Sequence, residues 1–479
     1  MFNKSFQRPA FRPSINVGCM FDIPTGKYET GKRGEQVLNG GLGPLTGIAS
    51  RPNNFKSAIG VFFTVMVRRA MPRSDGITYD TEGTLDPTSR YKQISDQFSE
   101  LTDIDWDHDE QFMFTDLSRY SGDEFFSKFR EVLGAKAKDE KTYIRTTPFL
   151  DMEGKPRQCL YPTTGFIDSF SKFIVSDVDK MYEKNKIGDS KNNTDAMMNG
   201  KAKNQLFNQL PQVCAKTGSY VILTAHVGDI IQMEMYPTDK RNLSHMKKDT
   251  VLKGVSGGFY SLPNNVFSIE SNKPMLNKEK MPQYPLDNAT AMEGDTDLRE
   301  LTIMNLRGKA GMSGLPFKVI VSQTEGLQVG LTDFDYVKEN GFGIGGNALN
   351  YFIELRPEVN LSRTKVRQII NGDAKLRRAC EFQSEMLQLV QFQRWTSEYI
   401  CDPKVLYEDL KAMGYDWDVL LDTRGYWMCE EDEKEPGVKP FLSTFDLLKM
   451  RKFEYVPFWF TKEQKAAIKP LELATKKAA

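Results

Sequence analysis

Residues 45–70 read LTGIASRPNNFKSAIGVFFTVMVRRA. The opening Leu45-Thr-Gly-Ile-Ala has the apolar, β-branched character of a short strand, and Ser57 to Ala70 reads as a buried helix. The turn between them is Ser50-Arg51-Pro52-Asn53-Asn54-Phe55-Lys56-Ser57. A turn that follows a strand and opens a helix is the setting a phosphate-binding loop requires. The usual pattern is G-x-x-x-x-G-K-S/T. Here Ser50 stands at the first glycine and Phe55 at the second, while Lys56-Ser57 is intact. The helix N-terminus would offer backbone N–H groups and the positive end of its dipole to phosphate. Lys56 would reach the β- and γ-phosphates of ATP, and Ser57 would hold Mg²⁺.

Working outward, strand and helix patterns alternate. Gly76-Ile-Thr-Tyr-Asp80 reads as a strand, Asp123 to Leu133 as a helix, Gly165-Phe-Ile-Asp168 as a strand, Lys203 to Ala215 as a helix and Tyr220 to Ala225 as a strand. Further apolar runs at 265–269, 301–306 and 317–321 extend the sheet. Such alternation predicts an α/β fold with a mainly parallel sheet flanked by helices. In these folds ligands bind where strands end. Three strand ends carry suitable groups. Glu82, in Thr78-Tyr-Asp-Thr-Glu82-Gly-Thr-Leu-Asp86-Pro87, could orient or deprotonate a water aimed at a γ-phosphate. Asp168 closes an apolar strand in the Walker B manner and would hold Mg²⁺. His226 closes Val221-Ile-Leu-Thr-Ala and would sense the γ-phosphate.

Composition narrows the function. The 479 residues predict two to four domains, at about 100–200 residues each. Lys+Arg and Asp+Glu are both 64, which excludes a uniformly basic nucleic-acid binder but not a local basic groove. Residues 1–73 carry a net charge of +8 and residues 74–130 one of −9, a basic face beside an acidic one. The longest apolar run, Ala58 to Val67, is too short for a membrane span and stops at Arg68-Arg69. The opening MFNKSFQRPAFRP has no apolar core and does not read as a secretory signal. Six scattered cysteines without a C-x-x-C pair read as reduced thiols, and three unpaired histidines argue against zinc. Gly341 to Gly346 fits G-x-G-x-x-G but follows no strand, so it is not read as a dinucleotide site.

The order and spacing of these motifs resemble the RecA recombinase family, most closely its UvsX-type phage members. YDTEGTLDP is similar to the stretch around that family's catalytic glutamate, FKS to its phosphate-loop ending, FIDSFSKF to its Walker B segment, and His226 to its sensor position. The resemblance runs from about Gly18 to Leu331. It implies a RecA-like P-loop ATPase core over 41–340. Pro9 and Pro13 bar a long helix, so residues 1–40 read as an N-terminal arm, either a disordered tail or a hook that docks on a neighbouring subunit. The helical pattern after Gly341 reads as a separate, mixed, mostly helical C-terminal domain over 341–479. Asp86 is retained, and Ser89 stands where the family stacks an aromatic on adenine, so Tyr91 or Arg90 would substitute. Arg307 and Lys309, before Pro316-Phe317, fit the cations that reach the ATP of the neighbouring subunit. An insertion over 137–162 has no counterpart.

Two DNA-facing loops also follow from the resemblance, at about 183–199 and 226–258. The second carries Lys240, Arg241, Lys247, Lys248 and Lys253 to neutralise phosphates. Gly254, Gly257 and Gly258 would let backbone approach phosphate, and Met233, Met235, Tyr236, Phe259 and Tyr260 would offer surfaces to bases. The implied function is an ATP-dependent recombinase that forms helical filaments on single-stranded DNA and pairs it with duplex. Single-strand-binding and loader proteins would be its partners, in the cytoplasm of a phage-infected bacterial cell. Two alternatives stay open. One is a hexameric helicase of the DnaB type, disfavoured because the phosphate loop begins at Ser50, leaving no room for that family's helical N-terminal domain. The other is an inactive scaffold, which the two missing glycines keep open.

Overall fold

The computed structural model describes residues 11–83, 86–185, 194–231, 238–239, 241–287, 289–292, 294–347 and 349–471. Its centre is a ten-stranded sheet. In chain order the strands are β1 (Leu45–Ser50), β2 (Asp75–Asp80), β3 (Phe112–Asp116), β4 (Thr163–Asp168), β5 (Ser219–Asp229), β6 (Thr250–Lys253), β7 (Asn265–Pro274), β8 (Leu298–Gly308), β9 (Pro316–Ser322) and β10 (Gly326–Leu327). Across the sheet the order is β10-β9-β8-β7-β1-β5-β4-β2-β3, with β6 beside the end of β5. The run from β7 to β3 is parallel throughout. Strands β8, β9, β10 and β6 join antiparallel.

Six helices matter for the site: α1 (Lys56–Ala70), α2 (Pro87–Ser95), α3 (Gly122–Lys138), α4 (Asp195–Thr217), α5 (Val329–Glu339) and α6 (Ala374–Phe392). The parallel strands are apolar on both faces because helices cover both. Tyr220 and Ile222 of β5 belong to the buried cluster that holds Phe62 and Phe63 of α1, while Val221 and Leu223 belong to the one that holds Phe129 of α3 and Phe207 of α4. Helix α1 lies close on β4: a Cβ on Gly60 would come 2.3 Å from the Phe166 ring. Helix α3 starts at a capping box, in which the Ser121 and Glu124 side chains satisfy each other's backbone N–H.

Two sequence expectations change. From Phe11 on, the expected arm over 1–40 is packed into the body of the chain. Ile15, Val17, Met20 and Phe21 are buried, and Ile15 bridges to Leu42. Prolines break helical periodicity there, but the apolar side chains still need a core. Residues 1–10, including Phe6, lie outside the described residues. The region after 341 is mostly helical as expected, yet it has no separate core. One buried cluster runs from Phe21 through Leu331 and Phe334 to Phe382, Met386 and Leu447. The insertion is a hairpin of Ile144–Leu150 and Pro156–Leu160. It ties to the C-terminal region where Glu430 N–H donates to Thr146 O at 2.9 Å and Phe149 meets Trp427 edge-on. All six cysteines are free thiols. Among the described residues no helix is long and apolar enough to cross a membrane.

Candidate functional site

The C-terminal ends of β1, β2, β4 and β5 share one rim, with Ser50 in register with His226 and Asp80 with Asp168. Past Ser50, whose side chain donates to Arg51 O at 2.7 Å, the chain turns through residues 51–55 into α1. Asn53 and Phe55 are both left-handed there, at φ 61° and 58°. Asn tolerates that region through its short polar side chain; for Phe it costs about 1–2 kcal/mol. The backbone therefore adopts at Phe55 the conformation for which glycine is the default. Neighbours brace the turn. Asn272 of β7 donates to Asn53 O and Asn54 Oδ1, both at 3.2 Å. Arg51 pairs with Asp229 at the end of β5. Pro52 is exposed.

Inside the rim, Lys56 is buried, with Nζ 3.1 Å from Glu82 Oε1 and 3.8 Å from Asp168 Oδ1. The same Glu82 oxygen lies 2.9 Å from His226 Nε2. Glu82 N–H donates to Asp80 Oδ1 at 2.7 Å, fixing the turn that presents it. Burial opposes ionisation of Glu82, but Lys56 and then His226 outweigh it and hold its carboxyl below the usual glutamate range. Asp168 is the deeper acid. Burial pushes its carboxyl up, and Lys56 and the Ser57 and Thr224 hydroxyls pull it back only in part. Thr224 Oγ1 donates to Asp168 Oδ1 at 2.6 Å. The hydroxyl of Ser57 and the carboxylate of Asp168 are adjacent oxygen donors, the set a hard cation such as Mg²⁺ takes.

The other predicted nucleotide residues have partners of their own. Asp86 caps α2, accepting from Ser89 N–H at 3.1 Å. Tyr91 is 1 % exposed, surrounded by Trp106, Phe112 and Phe114, with its hydroxyl 2.6 Å from Thr78 Oγ1. Tyr91 is thus a core residue and offers no ring to a base. Arg307 and Lys309 lie at the opposite end of the sheet. Arg307 is in register with Val266, and Lys309 N–H donates to Asn264 O, level with the start of β1. From Leu45 to Ser50 is about 16 Å at the rise of a parallel strand, so neither cation serves its own chain's rim. Their donors meet Pro263 O at 3.1 Å and Leu262 O at 2.9 Å.

A groove of ≈ 440 Å³ leads from Arg51 and Pro52 past His226 to Lys253 and Gly254. There β6 pairs with the end of β5, His226 opposite Lys253, so residues 230–249 form an excursion from the rim. Lys247, Lys248 and Lys253 are exposed, whereas Arg241 is paired with Asp239. Lys240, Met233, Met235, Tyr236 and residues 186–193 lie outside the described residues. Gly257 and Gly258 open a short helix in which Phe259 is fully buried against Phe207, and Tyr260 Oη accepts from Leu252 N–H. Those two aromatics hold the base of the excursion rather than face a ligand. A cavity of ≈ 950 Å³ lies away from the rim, between α2, α6 and residues 421–439. Most of its charges are already paired, as in Arg69–Glu100 and Arg378–Glu381.

Sequence reading missed four contributors. Thr224 was legible as a polar residue two before His226 in an apolar strand. Asn272, Ser171 and Lys203 had no local signal, because their partners are distant in sequence. Ser171 Oγ accepts from His226 N–H at 2.9 Å and donates to Lys253 O at 2.7 Å. No protein-family model and no curated protein matches the chain.

Proposed function

We propose that the chain is a DNA-dependent ATPase of the RecA recombinase type. The observation that carries this reading is the convergence of Lys56, at the start of α1, with Glu82, Asp168 and His226, linked by the contacts Lys56–Glu82, Lys56–Asp168 and His226–Glu82. Lys56 and the N-terminus of α1 would hold the phosphates of ATP. Ser57 and Asp168 would hold Mg²⁺, which neutralises charge on the transferred phosphoryl group. Glu82, kept ionised by its two neighbours, would position and deprotonate the attacking water. His226 touches Glu82 and pairs with Lys253 at the base of the excursion that carries Lys247 and Lys248. A change at the γ-phosphate would thereby reach the segment that grips DNA. Arg307 and Lys309 would serve the rim of the next chain in a filament, stabilising charge in the transition state and making turnover depend on assembly. Single-stranded DNA would lie along the basic excursion, ready to pair with duplex.

The test is ATP hydrolysis with and without single-stranded DNA, at two salt concentrations, for wild type and Glu82→Gln. DNA-stimulated, salt-sensitive turnover that Glu82→Gln abolishes is expected. No turnover with DNA binding intact would move the reading to a scaffold, and ring-shaped rather than filamentous particles would move it to a helicase.

A further inference from the structure

Lys203 is 4 % exposed, on α4, the helix that follows residues 186–193. Its Nζ donates to two backbone carbonyls, Ser171 O and Gly254 O, each at 3.0 Å, and lies 5.8 Å from the centre of the Phe170 ring. No carboxylate is among its partners in the described residues. Burial, and then Lys172 nearby, push its ammonium down to about 8. A desolvated cation without a counter-charge is a costly way to fill space. It is repaid only where its fixed donors specify a geometry an apolar side chain would leave loose.

The two carbonyls belong to the two segments that meet at His226. Ser171 lies three residues past Asp168, and its hydroxyl joins His226 N–H to Lys253 O. Gly254 follows Lys253, and its φ of +65° and a Cβ position 2.7 Å from Ser171 O leave room for glycine alone. Three segments therefore touch through one ammonium: the turn behind Asp168, the base of the 230–249 excursion, and the helix leading out of 186–193. We propose that Lys203 is a positioning residue that locks both proposed DNA-facing segments to the rim, so that they shift together when His226 does. This rests on the DNA-dependent ATPase reading above.

The experiment compares full-length wild type, Lys203→Met and Lys203→Arg. Backbone hydrogen exchange is followed over 169–172 and 250–258, alongside the poly-dT concentration that half-stimulates ATP hydrolysis. Losing hydrogen bonds to a charged donor predicts, for Lys203→Met, about tenfold faster exchange in both segments and a half-stimulating concentration raised about tenfold. The DNA-free rate stays within about twofold, and Lys203→Arg recovers both losses because it keeps charge and donors. The proposal is overturned if Lys203→Met leaves exchange unchanged, or if DNA-free and DNA-stimulated rates fall in equal proportion. Absence of turnover in wild type would sink the ATPase reading alone; exchange would still decide whether the junction exists. Should Lys203→Met fail to fold, Lys203→Gln, which keeps a donor but not the charge, carries the same expectation at reduced size.

Discussion

His226 Nε2 stands 2.9 Å from Glu82 Oε1, the same oxygen that Lys56 Nζ approaches at 3.1 Å. Two donors on one oxygen favour the ionised carboxyl, against the burial that opposes it. The acid limb of the pH profile of the proposed ATPase activity is therefore expected below the ordinary glutamate range. His226→Gln keeps one donor and should move that limb little; His226→Ala should move it upward. Glu82→Gln should lower kcat by about 10²-fold or more while ATP binding persists. An unchanged acid limb in His226→Ala would count against this electrostatic account.

Phe55 occupies a left-handed position at φ 58°. Phe55→Gly should leave ATP affinity within about threefold and change stability by no more than about 1 kcal/mol, strain relief offsetting lost packing and chain entropy. Phe55→Val, β-branched and intolerant of that region, should weaken ATP binding about tenfold. Isothermal titration and thermal melts check both.

Gly60 has no room for a methyl group beneath Phe166. Gly60→Ala gains helix propensity but forces a buried ring to move, and overpacking of this kind costs about 1–3 kcal/mol. A lower urea midpoint with an unchanged m-value is expected.

Several buried acids hold their protons near neutrality. Burial pushes Asp333 and Glu385 up to about 8, and Asp22 and Asp446 up to about 7. Between the ordinary carboxylate range and these values the native state binds protons that the unfolded chain has lost. Their stabilisation is thus fully present below the ordinary carboxylate range and is lost progressively as pH rises through this window to 7–8. Lys136 and Lys203, whose ammonium groups burial pushes down to about 8, act in the opposite sense only above that pH. The urea midpoint should be higher at pH 5.5 than at pH 8, and Asp333→Asn should narrow the gap. No narrowing would mean that the carboxyl is ionised in the fold.

Arg307 and Lys309 sit at the end of the sheet opposite their own rim. Glu82→Gln and Lys309→Ala chains should each be inactive alone. Mixed in equal amounts they should recover about a quarter of wild-type turnover, since random head-to-tail assembly brings an intact Glu82 against an intact Lys309 at that share of junctions. Recovery absent at every mixing ratio would place both residues in one site.

Much of the rim was legible because its signals are local. Residues 45–70 declare a strand, a turn and a helix, and the structure returns Leu45–Ser50 and Lys56–Ala70. Glu82, Asp168 and His226 each end an apolar run, and parallel pairing brings such ends together. What was not legible depends on distant partners. Tyr91 sits beside a helix start like any surface aromatic, and only Trp106, Phe112 and Phe114 make it core. Ile15 and Val17 show no helical or strand period, yet they are fully buried. Phe259 follows a flexible-looking glycine pair, but Phe207 claims its ring.

The cluster shared by Phe21, Phe334, Phe382 and Leu447 bears on how this chain can be inherited. A module travels between genes when its boundary crosses few apolar contacts. Here α5 lies along α6, so a break near residue 341 strips apolar side chains on both sides. Each Leu, Phe or Met side chain laid bare costs about 1.5–3 kcal/mol, and a handful rivals the whole net stability of a typical domain. The region beyond 341 is therefore expected to change by substitution in step with α5 and residues 11–42, not by wholesale exchange.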